Sequence, residues 1–106
     1  MSVSPRYALI RRDRPGRADD RARLQPEHAA YQEPFLPLIV YGGGLVGDET
    51  DTTGDVDIRD VMGNIIVFEA DRQTVEDFHR NDPYTEADLF EFALIERIWQ
   101  RVPPID

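Results

Sequence analysis

Residues Val61 to Ala70 read VMGNIIVFEA, and the unbroken apolar run Ile65-Ile66-Val67-Phe68 inside them decides which folds remain open. Successive side chains of a strand point to opposite faces, so a strand with water on one side alternates apolar and polar residues. This stretch does not alternate. Ile39-Val40-Tyr41 and Ala93-Leu94-Ile95 repeat the pattern in two further candidate strands, so both faces of the sheet demand cover.

Working outward, RYALIR (Arg6 to Arg11) reads as a first strand, LIVYGGGL as a second that ends in a glycine turn, and LFEFALIERIWQ as a fourth. Between the first two, RDRPGRADDRAR reads as a loop broken at Pro15-Gly16. It leads into a helix in LQPEHAAYQEPFL, with Pro26 at the first helical position and Glu27 beside the positive end of the dipole. Leu24, His28, Tyr31 and Phe35 fall on one face of that helix, and Pro34 and Pro37 stop it. DRQTVEDFHRN reads as a second helix, capped by Asp71, packed through Val75 and Phe78, and ended before Pro83.

The order strand, helix, strand, strand, helix, strand defines an α+β, ferredoxin-like βαββαβ domain with an antiparallel sheet. Its two helices cover one face. The other is expected to pack sheet-to-sheet on a second copy, making a homodimer. With 106 residues the chain suits a single domain over 1–106, carrying an acidic loop at 47–60 and a loose tail at 103–106.

The net charge of −9 argues against nucleic acid as a partner, which needs clustered basic charge. The absence of cysteine removes disulfides and thiolate metal sites, and the absence of lysine removes Schiff-base chemistry and a phosphate-loop lysine. No stretch is long and apolar enough for a signal peptide or membrane span, so a cytoplasmic protein is expected. The loop Asp48 to Asp60 carries six carboxylates, but their spacing fits no EF-hand and reads as a solvated face. GGGLVG is followed by neither lysine nor helix, which leaves no phosphate cradle. No metal site and no cofactor are expected.

His28 lies on the apolar stripe of the first helix, in the first turn after Pro26, where the helix N-terminus favours a neutral imidazole able to act as a base. A core histidine with one hydrogen-bond partner looks the same in sequence. Asp82, in HRNDPY, fits a turn cap before proline, or a carboxylate that orients an imidazole for acid–base work. Tyr31 and Tyr84 fit either pocket lining or core packing. His79 is expected at the solvent edge of the second helix, and Arg21 either in solvent or meeting an anionic substrate.

DRPGRADDRARLQPEH, YGGGLVGDE and NDPYTEADL, in that order, resemble the YCII-related family, also called the DGPF domain, over Tyr7 to about Trp99. The resemblance implies a ferredoxin-like domain that dimerises into an α+β barrel. It implies a catalytic couple at His28 and Asp82, with Gly43 and Gly44 at a turn near the pocket and Arg21 as a matching arginine. It also implies a cofactor-independent enzyme on a small organic molecule, with lyase or isomerase chemistry. Two points depart from the family: Ala87-Asp88-Leu89 stands where Ala-Gly-Leu is common, and the 48–60 loop is long and acidic. The rival reading is a non-catalytic ligand-binding or regulatory module beside transcription, because some relatives are joined to sigma-factor-like regions. A dimeric remnant with an idle site is the third.

Overall fold

Four strands and two main helices follow one another in the order βαββαβ in the computed structural model, which describes residues 4–104. They are β1 (Arg6–Asp13), α1 (Ala18–Gln32), β2 (Ile39–Gly44), β3 (Gly63–Glu69), α2 (Arg72–Asn81), a single-turn α3 (Pro83–Glu86) and β4 (Phe90–Ile98). Short 3-10 turns at Glu33–Leu38 and Ile58–Asp60 lead into β2 and β3. The sheet order is β2-β3-β1-β4, antiparallel throughout, which is the ferredoxin-like arrangement expected from the sequence. Of the expected loose tail at 103–106, residues 105 and 106 lie outside the described residues.

Period-two alternation orients the side chains of β1. Tyr7, Leu9, Arg11 and Asp13 are buried toward the helices, and Arg12 is exposed on the other side. Tyr7 and Leu9 join Ile66, Phe68, Val75 and Phe78 in the main core, with Tyr31 and Phe35 packed against its edge. A second cluster of Leu24, Tyr84, Leu89 and Phe90 lies between α1, α3 and the start of β4. On the outer face Ile10 stands opposite both Ile65 and Leu94. Tyr41, Phe92 and Val40 are 60%, 48% and 46% exposed there and nearby, leaving a broad apolar surface on the helix-free side.

The helix boundaries correct the sequence reading. α1 begins at Ala18, so RADDRAR is mostly helical and Pro26 sits in mid-helix, giving up one backbone hydrogen bond. Asp19 and Asp20 in the first turn supply the favourable dipole interaction that Glu27 was expected to give. His28 is therefore nearly three turns from the N-terminus, and the dipole argument for its neutrality does not hold. The inward face runs Arg21, Leu24, His28; the charge at Arg21 hid the first turns of the stripe. The glycines at 42–44 form the end of β2 rather than a turn, with Gly44 paired to Asn64. Asp71 caps α2 through Thr74 N–H, and the helix ends before Pro83, both as expected.

Candidate functional site

β1 and β3 deliver the first two groups. Arg11 and Asn64 are cross-strand partners, and both turn toward the helices. Arg11 is fully buried, its guanidinium 4.4 Å above the Phe90 ring centroid, and its Nε donates to Asn64 Oδ1 at 3.0 Å. A buried guanidinium needs an anion, because it cannot shed its charge. Asp82 supplies it: Arg11 Nη2 lies 3.0 Å from Asp82 Oδ2, an ion pair with both side chains sealed from solvent. The contact is off the line for a hydrogen bond, so it acts by charge.

Asp82 occupies the joint between α2 and α3. Pro83 forces it into extended geometry, φ −63° and ψ 132°, where its Oδ1 accepts the Tyr84 backbone N–H at 2.9 Å. The sequence offered a turn cap or a partner for imidazole; the carboxylate does both. His28 Nδ1 lies 3.0 and 2.9 Å from its two oxygens. Burial works to raise the Asp82 pKa. His28, the Arg11 charge and the Tyr84 N–H outweigh it and hold the carboxyl below its ordinary value. An ionised carboxylate only accepts, so His28 Nδ1 carries the proton, and in the neutral ring Nε2 keeps a lone pair.

The imidazole stacks on Tyr84, centroids 4.3 Å apart and planes 14° from parallel. The Arg21 guanidinium also packs on Tyr84, 4.6 Å from the ring centroid. Arg21 is buried, not a loop arginine. Its Nε and Nη2 donate to Asp13 at 2.6 and 2.8 Å, and although burial opposes it, Asp13 raises the Arg21 pKa. Burial raises the Tyr84 phenol.

His28, Arg21 and Tyr84 line one cavity of about 470 Å³. Gly42, Gly43 and Gly44 of β2 form its far wall, and Ile39, Ile58, Val61 and Ile66 give it an apolar interior. A Cβ at Gly44 would lie 3.1 Å from Val61 Cγ1, so the missing side chain keeps this wall open. Tyr31 stands apart, its hydroxyl donating to the Phe78 carbonyl at 2.9 Å and its ring packed on Phe35 and Phe78. The acidic loop borders a larger depression of about 570 Å³, but carboxylates dominate its rim and no imidazole or cation lines it. Among the described residues no three carboxylates or histidines gather as metal ligands. The loop turns its acids outward, ties to α1 through Arg59 and Asp19, and sends Ile58 and Val61 to the cavity.

Sequence reading missed Arg11, Asn64, Asp13 and the two loop aliphatics. The period-two register with Tyr7 and Leu9 pointed to Arg11 and Asp13, and lone aliphatics in an acidic loop pointed to Ile58 and Val61. Asp88, which stands where the family commonly has glycine, is exposed and paired with Arg14. Its backbone lies at φ +56°, the left-handed region, which is the physical reason glycine suits that position.

A ferredoxin-like α+β domain with a buried arginine–aspartate–histidine cluster opening on a small apolar cavity is thus the class of protein at hand. The YCII-related domain family matches residues 5–98, and the chain belongs to that family. Among solved structures it is similar to 5-chloro-2-hydroxyhydroquinone dehydrochlorinase (TftG) from Burkholderia phenoliruptrix AC1100, in complex with 2,5-dihydroxybenzoquinone. Identity there is 35%, over 90% of this chain and 93% of that one, with a TM-score of 0.80. PA3566 from Pseudomonas aeruginosa shares the fold at 11% identity and a TM-score of 0.53, covering 96% and 98% of the two chains. No curated protein matches.

The buried cluster sets an acid limit on stability. Because the Asp82 pKa is depressed on folding, its contribution is complete above the unfolded value of about 3.9 and is lost as pH falls through the native value. In Asp82→Asn, which strands the Arg11 charge, we expect a loss of about 3–5 kcal/mol at neutral pH. Urea unfolding of both proteins from pH 7 to 3 should show the gap narrowing below about pH 4, where only the wild type has this carboxylate to protonate. A gap that stays constant on acidification would show that Asp82 carries no special charge in the fold.

Proposed function

We propose that the chain is a cofactor-independent enzyme of lyase type that removes a proton and a leaving group from a small hydroxylated ring. The observation that carries this reading is the His28–Asp82 pair at the cavity wall: the carboxylate holds Nδ1–H and leaves Nε2 free to take a proton. Asp82, itself fixed by Arg11, then stabilises the imidazolium. The electron pair left on the substrate expels a leaving group as an anion. If instead it recaptures the proton at another carbon, the outcome is isomerisation.

Arg21 commits Nε and Nη2 to Asp13 and leaves Nη1 for an oxyanion that forms on the substrate. Burial and a bound partner mean that this cation is already oriented when charge develops. The apolar interior and the side-chain-free wall at Gly42–Gly44 suit a flat ring. A dehydrochlorinase at 35% identity, solved with a dihydroxylated quinone, supports the same substrate class. The net charge of −9 favours a small ligand over nucleic acid.

His28→Ala is expected to lower turnover of a halogenated hydroquinone by roughly 10²–10⁴-fold, the usual contribution of one acid–base group, while the compound still binds. Steady-state kinetics beside calorimetric binding measures both. Unchanged turnover in that variant ends the proposal; binding without turnover in the wild type favours the ligand-binding module.

We further propose a homodimer that pairs the helix-free sheet faces, since Ile10, Ile65 and Leu94 together with exposed Tyr41 and Phe92 form one apolar surface. Sedimentation equilibrium should return about twice the 12.2 kDa chain mass, and Leu94→Arg should return the single mass. A monomeric wild type at micromolar concentration contradicts this pairing.

A further inference from the structure

A second imidazole meets the cluster on the side away from the cavity. His79, in the last turn of α2, has its Nδ1 3.3 Å from Arg11 Nη1 and 3.3 Å from Thr85 Oγ1. Its ring is half-buried and borders a separate depression of about 130 Å³, which shares no residue with the cavity that His28 lines. Sequence reading placed His79 at a solvent edge with nothing to do. Instead it completes the ring of partners around the buried arginine: Nε meets Asn64, Nη1 meets His79, and Nη2 faces Asp82.

A guanidinium has donors only, so the Arg11 contact requires a lone pair on His79 Nδ1. His79 is then neutral with its proton on Nε2. We propose that His79 is a positioning residue for the candidate active site: in its neutral form it clamps Arg11, Arg11 fixes Asp82, and Asp82 orients the His28 imidazole. The proposal rests on His28 as the base, and it adds a pH-sensitive support that reaches solvent by its own route.

Protonation of His79 places an N–H where an Arg11 N–H already points. Two donors then face each other beside a fixed charge, and the clamp opens. The surroundings set where this happens. Burial and the Arg11 charge push the His79 pKa below its ordinary value, and Asp82 opposes them. Asp88 and Glu91 border the depression from the α3–β4 connection and from β4, and Glu76 lies one turn back on α2. All three carboxylates favour the imidazolium, but the two at the rim act across water.

The test is an NMR pH titration of the ring signals of both histidines in the intact protein, in wild type, His79→Asn and His79→Ala. In the wild type the His28 signals should show a step that coincides with protonation of His79. Asparagine accepts through its amide oxygen and does not titrate, so His79→Asn should keep the His28 signals near their wild-type positions and lose that step. His79→Ala should displace them at every pH and lower kcat roughly tenfold, as losing an outer partner of a site residue does. The acid limb of kcat that follows His79 should vanish in His79→Asn while kcat itself survives.

Wild-type His28 signals that ignore the His79 titration and are unchanged in both variants overturn the proposal. If His79→Ala does not fold, the wild-type titration and His79→Asn decide the matter. The NMR result does not require turnover, so an inactive protein would count against the proposed reaction and leave the coupling to stand or fall on its own.

Discussion

A guanidinium sealed from water is the constraint around which this protein is arranged. Arg11 sits near the C-terminal end of β1 at zero exposure, and its charge cannot be neutralised by losing a proton. The cost of its desolvation is offset only if an anion reaches it, and the anion is Asp82. Asp82 comes from the joint of α2 and α3, His28 from α1, and Asn64 from β3. One buried ion pair therefore fixes the docking of both helices on the sheet, and it does so at the place where the imidazole meets the cavity. Buried pairs of this kind seldom raise stability over an apolar alternative. Here the pair supplies orientation, which an apolar core cannot give.

The same economy appears in the second pair. Arg21 reaches in from α1 and meets Asp13 at the end of β1, and its guanidinium and the His28 ring both pack on Tyr84. The two cations and two carboxylates cancel, so the interior beside the cavity is polar but close to neutral. In the proposed reaction a proton taken up by His28 adds positive charge beside Asp82, close to where an oxyanion would form. The alternation that makes this possible is simple. Tyr7 and Leu9 bury hydrocarbon, and two and four residues further along the same face Arg11 and Asp13 bury charge. The core passes into the site along a single strand.

Much of this is legible in the amino-acid sequence. Runs such as Ile65 to Phe68 mark strands, and the order of elements leads to the ferredoxin-like topology. Asp71 and Pro83 marked the ends of α2 by local chemistry, which sequence carries directly. His28 and Asp82 stood out because they are titratable residues on an apolar stripe and before a proline. What stayed hidden depends on tertiary partners. Arg11 reads as the polar end of a strand until Asp82 is known to face it. Arg21 reads as loop because a charged residue interrupts the stripe, and Pro26 then looks like a helix start. His79 looks idle until the arginine beneath it is seen. In each case a charge is buried because a distant residue pays its desolvation, and that pairing is not written locally.

The most direct test of this arrangement is a double-mutant cycle in urea unfolding at pH 7, with Arg11→Met, Asp82→Asn and the pair together. Asparagine keeps an oxygen for His28 and for the Tyr84 N–H, so the cycle reports mainly on the charges. If the buried pair organises the site, each single variant strands an ion, and the double variant is less destabilised than the sum by about 2 kcal/mol or more. Additive losses, within about 0.5 kcal/mol, would mean that Arg11 and Asp82 do not depend on each other and that the site is held together by something else.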